Sequence, residues 1–202
     1  MNENKRKPEI VLFAGPNGSG KSTITELLRP TKFIYINADD IQRNLGCNIL
    51  EAAQIAEKRR EECLAANESF CFESVLSTKR NIELLHRAKA SGYFIRCYYI
   101  LTADPQINAA RVLSRVSAGG HDVPIDKIFS RYEKALNLVR EVVPLCDVCH
   151  IYDNSGDAPY RIFKKRKEQY YYCTLKYLWL KQDIAALTGV SAMEKAALNR
   201  HK

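Results

Sequence analysis

The stretch GPNGSGKST at positions 15–23 constrains this chain more than any other. It follows the apolar run IVLFA (10–14) and opens KSTITELL, which reads as a helix. The spacing Gly15, four residues, Gly20, Lys21, Ser22 is the GxxxxGK[ST] phosphate-binding loop set between a strand and a helix. Glycines there let successive backbone N–H groups turn inward around phosphate oxygens. The nucleotide site expected from this is the whole loop: Gly15, Pro16, Asn17, Gly18, Ser19, Gly20, Lys21, Ser22 and Thr23. Lys21 reaches the β- and γ-phosphates, Ser22 places its hydroxyl on Mg²⁺, and the helix start adds partial positive charge. ATP and Mg²⁺ are therefore the expected cofactors. The competing reading, a Gly-rich turn without a ligand, is disfavoured by the strand before the loop and the helix after it.

Further apolar runs alternate with helical periodicity. Strands are expected at 10–14, 33–37, 69–74, 93–101 and 147–153, and helices at 50–66, 78–91, 104–118 and from 124 to about 143. Asp104-Pro105 has the form of an N-cap followed by Pro at the first helical position. Alternation of this kind predicts an α/β, three-layer P-loop NTPase fold: a parallel sheet of about five strands, helices on both faces, and a small helical lid. The 202 residues read as one domain, with the lid at about 111–131 and a basic C-terminal extension at about 157–202. Within that extension, YRIFKKRKEQYYYCT (160–174) reads as a strand pair or as a strand and a helix; LKYLWLKQDIAAL and SAMEKAALN read as helices.

Bulk properties narrow the partners. The formal charge is +8, and residues 160–202 carry ten Lys or Arg against Glu168, Asp183 and Glu194. A solvated face is the first reading of that excess and a nucleic-acid surface the second. No apolar run approaches the length of a membrane span, so no membrane partner is expected. The first ten residues, MNENKRKPEI, carry no apolar segment of a secretory signal, and the seven cysteines are an odd number. Both point to reduced thiols and a cytoplasmic location.

Parallel sheets bind ligands at the C-terminal ends of their strands. The second strand ends in NADDI, bringing Asn37, Asp39 and Asp40, and the third ends in Glu73. A carboxylate opposite the γ-phosphate can take the proton of an attacking hydroxyl. Asp39 or Asp40 can do this, and either can cap the helix at Ile41; the assignment adopted is Asp39 as base and Asp40 as cap. Arg111 and Arg115 share one helical face, and Arg131 follows beyond AGGHDVP. Gly119-Gly120 would let such a lid bend, bringing arginines over the transferring phosphoryl group. No NKxD base-reading motif of a GTPase is present. VSAGGHD echoes an ABC signature without the following strand ending in Asp-Glu. SFCFES keeps a simple NTPase as an alternative, with Glu73 as its acid.

Taken together, GPNGSGKST, NADDI, FESVLS, ARVLSRVSAGGHDVP with Arg131, and YDNS resemble the zeta toxin family of small-molecule kinases, over residues 10–155. The Asp-Asp after strand two is also similar to phage polynucleotide kinase. The resemblance implies a toxin–antitoxin kinase that moves the γ-phosphate of ATP to a hydroxyl of a small-molecule acceptor. A UDP-amino sugar or other nucleotide-linked metabolite is the implied acceptor, and an antitoxin protein the implied partner. By the same resemblance Lys21 and Ser22 hold phosphate and Mg²⁺, with Ser22 the metal ligand. Asp39 is the base, Glu73 orients substrate or reaches the metal through water, and Arg115 and Arg131 clamp the γ-phosphate. Asn154 and Ser155 lie where such kinases pass the adenine. Arg111 and His121 complete the candidate substrate residues. The chain departs from the family in lacking His-Pro after the catalytic Asp, where it has DDIQRNLG, and in the residues after Glu73. Both departures touch the acceptor and leave phosphoryl transfer intact. The alternative is a nucleic-acid-associated NTPase or polynucleotide-end kinase using the basic C-terminal region.

Two other signals are set aside. CDVCH (146–150) has the C-x-x-C-H form of haem attachment, but it runs into a strand where Cys149 and His150 face opposite ways. A zinc site is set aside as well, because no second Cys pair is present, and buried, reduced thiols are the plainer reading. The run of tyrosines at 170–172 could stack bases, but is read as packing.

Overall fold

The computed structural model describes residues 7–117, 119, 123–172 and 179–190. The first strand, β1 (Glu9–Ala14), is buried from Ile10 to Ala14, as its unbroken apolar run requires of a central parallel strand. Around it lie β2 (Ile34–Ile36), β3 (Phe70–Ser74), β4 (Phe94–Leu101) and β5 (Val148–Asp153), in the order β2-β3-β1-β4-β5 and all parallel. The sheet is wider than the five strands the sequence suggested. It continues antiparallel through β6 (Tyr160–Arg166) and β7 (Gln169–Tyr172) to seven. Residues 160–172 are thus a strand pair, joined by a turn in which Lys167 is left-handed (φ 54°).

The helices are α1 (Lys21–Leu28), α2 (Ala38–Leu45), α3 (Ile49–Ala65), α4 (Arg80–Ala90), α5 (Pro105–Ser117), α6 (Ile125–Leu145) and α7 (Lys181–Thr188). The SAMEKAALN segment lies outside the described residues. One sheet face, with Ile10, Leu12, Phe70, Phe72, Tyr99 and Leu101, packs against α3, α4, α6 and α7 through Ala52, Ala56, Leu85, Val139, Val142 and Ile184. On the other face, Ile24 of α1 packs with Val11, Phe13, Cys71 and Ile100. A small third cluster, Ala109, Val112, Val123 and Ile128, joins α5 to α6 away from both.

The helix starts follow local chemistry. Asn48 and Glu51 form a reciprocal capping box at α3. The Asp104 side chain accepts from the Gln106 N–H (2.8 Å) ahead of α5, whose first residue is Pro105. At α2 the expected cap is corrected. Strand β2 stops at Ile36, and Asn37, still extended (φ −132°, ψ 125°), accepts the Asp39 N–H at 2.8 Å. Asn37 is the N-cap, so Asp39 and Asp40 both lie in the first turn, where carboxylates suit the helix dipole. Asp40 is paired to Arg43 on the exposed side of the helix.

Candidate active site

The phosphate-binding loop leaves β1 at Gly15 with φ 143°; a Cβ there would stand 1.9 Å from the Ile100 carbonyl oxygen on β4. At Gly18 (φ 76°) a Cβ would meet the Asn108 carbonyl oxygen at 2.4 Å. Close backbone approach on the β4 and α5 side therefore dictates these glycines. The loop is also tied down from its surroundings. The Gly15 N–H donates to Ser74 O (3.1 Å), Asn108 Nδ2 to Asn17 O (2.6 Å), and Asn154 Nδ2 to Ser19 O (2.8 Å). With its carbonyls bonded inward, the loop keeps its oxygens away from an incoming phosphate.

Lys21 Nζ rests on the Pro16 carbonyl at 2.9 Å. Burial of that ammonium lowers its pKa to about 8; the Glu73 and Asp39 carboxylates oppose the shift and the Arg115 guanidinium adds to it. Glu73, Asp39 and Arg115 are therefore all near enough to act on the loop lysine. Asn17 Oδ1 and Ser19 Oγ are buried in the same loop without a hydrogen-bond partner. Two orphaned polar atoms and a buried ammonium resting on a neutral carbonyl fit a polyphosphate. Ser22 Oγ donates to Glu73 Oε2 at 3.2 Å, an oxygen pair of the hard type that suits Mg²⁺.

From Glu73 a chain of hydrogen bonds runs to the second strand. Tyr35 OH donates to Glu73 Oε1 (2.8 Å), Asn37 Nδ2 donates to Tyr35 OH (2.8 Å), and the Asp39 N–H donates to Asn37 Oδ1 (2.8 Å). Burial first, and the Glu73 charge as well, raise the Tyr35 pKa above its ordinary value, so it stays a neutral donor. The Arg29 guanidinium lies 4.7 Å above the Tyr35 ring. Tyr35 is a member of this bonded chain that sequence reasoning missed. Nothing but its place in the short apolar run before NADDI could have flagged it.

The other predicted residues divide between two sides of the loop. Ser22, Glu73 and Asp39 lie on the β2–β3 side. On the β4–β5 side Arg111 Nη1 donates to Asn154 O (2.8 Å), so Arg111 backs the Asn154 turn, across the loop from Glu73 and Asp39. Asn154 spends its amide on Ser19 O. Ser155 donates its hydroxyl to the buried Asp153 carboxylate, which also accepts from Tyr160 OH and Trp179 Nε1, each at 2.8 Å. Arg115 lies in the last turn of α5, and Arg131 in the second turn of α6. Beside Arg131, Tyr132 OH donates to Thr102 O (2.6 Å) at the end of β4. Gly119 is described (φ 84°), whereas Gly120 and His121 lie outside the described residues. Asn108, which braces the loop through Asn17 and accepts from the Thr102 hydroxyl, was also not foreseen.

No profile of a known protein family matches the chain. An uncharacterised protein of Haemophilus influenzae (strain ATCC 51907 / DSM 11121 / KW20 / Rd) is 30% identical over 129 residues, 61% of this chain and 92% of that one. The two belong to one family. Among solved structures, a chain of the PezAT chromosomal toxin–antitoxin system of Streptococcus pneumoniae matches with TM-score 0.55 at 18% identity, over 78% of this chain and 74% of that one. A chain of the AvrRxo1-ORF1:-ORF2 complex with ATP matches with TM-score 0.65 at 13% identity, over 97% of this chain and 67% of that one. The fold is thus the zeta-toxin-like P-loop kinase fold expected from the motifs. No helix among the described residues is long and apolar enough to cross a membrane.

Proposed function

We propose that the protein is an ATP-dependent kinase that transfers the γ-phosphoryl group to a hydroxyl of a small molecule. The observation that carries this reading is the bonded chain Ser22–Glu73–Tyr35–Asn37, which ends on the backbone N–H of Asp39 and so ties the nucleotide loop to the helix turn that bears a second carboxylate. A simple NTPase needs only the loop and one acid. A second carboxylate beside the first is what an acceptor hydroxyl requires.

In this reading Lys21 and the loop N–H groups bind the β- and γ-phosphates. When bound, Mg²⁺ would be held by Ser22, with Glu73 beside it, and would supply charge neutralisation at the phosphates. Asp39 takes the proton of the acceptor hydroxyl as its oxygen bonds to the γ-phosphorus. The bond from that phosphorus to the β–γ bridging oxygen breaks, and ADP leaves. Arg115, with Arg131 from the neighbouring helix, neutralises charge on the transferring group, while Arg111 and Asn154 shape the nucleotide side. His121 is proposed as an acceptor contact from the sequence motif alone.

A UDP-amino sugar or another nucleotide-linked metabolite is the first acceptor to try. The PezAT and AvrRxo1 structures are complexes of two components, which supports an antitoxin-like inhibitor as partner here. The unpaired state of Cys47, Cys63, Cys71, Cys97, Cys146 and Cys149 supports action in the cytoplasm. The test is a metabolite extract incubated with γ-labelled ATP and either the parent or Asp39→Asn. A labelled, phosphatase-sensitive small molecule that appears only with the parent is the expected result. Release of inorganic phosphate alone, equal in both proteins, would overturn the reading in favour of an NTPase.

A second reading, a polynucleotide-end kinase, has one observation in its favour. Arg96, Arg161 and Lys164 crowd the half-buried His150 on the sheet face bearing Tyr98 and Tyr152, and together with burial, the larger cause, they lower its pKa to about 4. If that cationic face holds a nucleic-acid strand, affinity for an oligonucleotide will fall steeply with salt.

A further inference from the structure

Cys146 caps the end of α6 and Cys149 is the second residue of β5. The fold adds a third thiol that the sequence separates from them widely. Cys97, on β4, is the in-register partner of Cys149. The Sγ atoms of Cys97, Cys146 and Cys149 all lie within 4.8 Å of one another, and none of the three residues is more than 2% exposed. On the next strand Lys165 is the in-register partner of Cys149 and is itself 5% exposed. Its Nζ donates to Val143 O (2.9 Å) and Pro144 O (3.0 Å), the closing carbonyls of α6. A buried ammonium bonded only to neutral carbonyls is costly unless negative charge stands nearby.

We infer that Cys97, Cys146 and Cys149 form a thiolate site for a soft d¹⁰ metal ion, with Zn²⁺ as its resident. The donor set is all sulfur, which excludes the hard cations that the phosphate loop would use. Three sulfurs each about 2.3 Å from one ion stand roughly 3.8–4.0 Å apart, a spacing the cluster already allows. Charge decides between the soft ions. Three thiolates are cancelled by Zn²⁺ together with Lys165, whereas Cu⁺ would leave one uncompensated negative charge in the core. Its place is structural. It lies near the start of β5, whereas the phosphate loop sits with the strands' C-terminal ends, and the ion would pin β4, β5 and the end of α6 together.

The test uses the full chain, purified reduced and without a metal-affinity tag. Native mass spectrometry should show about one Zn²⁺ per chain, retained against a mild chelator. Cd²⁺ exchanged into the same site should give a thiolate-to-metal charge-transfer band whose intensity counts three sulfurs. Cys97→Ser should cut that band by a third and lose Zn²⁺ to the chelator, while Cys47→Ser, outside the cluster, changes neither. Because the band is read on the parent, the test survives a Cys97→Ser protein that does not fold. A folded, metal-free parent that takes up neither Zn²⁺ nor Cd²⁺ would overturn the inference, as would a Cys146–Cys149 disulfide in freshly prepared protein. One Cu⁺ per chain, bound in preference to Zn²⁺, would overturn the assignment to zinc.

Discussion

Lys21 lies in a loop that buries its ammonium against a neutral carbonyl, and the consequence is a pH dependence of defined sign. Its proton is held with a pKa near 8, below the ordinary lysine value, mainly because the group is buried. Phosphate binding stabilises the charged form, so ATP should bind with proton uptake around pH 8, and its affinity should weaken as pH rises above that value. The loss can reach on the order of tenfold per pH unit. Calorimetry in buffers of different ionisation enthalpy reads the proton directly; no uptake at pH 8 would remove Lys21 from the phosphates. Lys21→Ala should abolish transfer and weaken ATP binding. Asp39→Asn should fold, bind Mg²⁺–ATP nearly as the parent does, and lose roughly 10²- to 10⁴-fold in transfer. Asp40→Asn should be mild, because Asp40 serves an exposed pair with Arg43. If Asp40→Asn is the dead variant and Asp39→Asn turns over normally, the two roles are reversed. Tyr35→Phe removes two hydrogen bonds, the one to Glu73 and the one from Asn37, each worth about 1 kcal/mol. It should lower kcat with little change in the KM for ATP; the same loss in both would make Tyr35 a packing residue.

At the scale of elements, the five parallel strands lay within a residue or so of where the apolar runs put them, because each run is short and bounded by polar residues. Strands β6 and β7 were ambiguous for a specific reason. The register of β6 on β5 slips between Ile151 and Tyr152, and both Ile162 and Phe163 end up buried. Two adjacent apolar residues break the alternation that marks a strand. The helix cap was misplaced because β2 is only three residues long, so Asn37 had already left the sheet. The candidate site was half legible. Loop residues and strand-end carboxylates follow from spacing, but Tyr35, Asn108 and Cys97 depend on which strands become neighbours, and no local pattern encodes that. The α5–α6 pair makes its own prediction. Arg115→Ala and Arg131→Ala should each lower kcat, by roughly 10³-fold if they act as arginine fingers, far more than they raise the KM for ATP. Steady-state kinetics that showed changes in KM alone would assign both to ground-state nucleotide binding.

For the whole molecule, the strand order puts the nucleotide loop between two working sides. The β2–β3 side gathers the carboxylates of Glu73 and Asp39, and the β4–β5 side gathers Asn108 and Asn154, which hold the loop, with Arg111 behind Asn154. Asn108 belongs to both stories, since it is bolted to Asn17 O at 2.6 Å and sits seven positions before Arg115 on the same helix. Mechanically, α5 is a lever with its fulcrum at the loop. At 1.5 Å of rise per residue the arm from Asn108 to Arg115 is about 10 Å, so a tilt of about 20° carries the arginine roughly 4 Å while the fulcrum barely moves. In the proposed function such a tilt would move the Arg115 guanidinium relative to the cleft, the stroke set by the number of residues between the two side chains, with the Arg111–Asn154 bond as the contact that yields first.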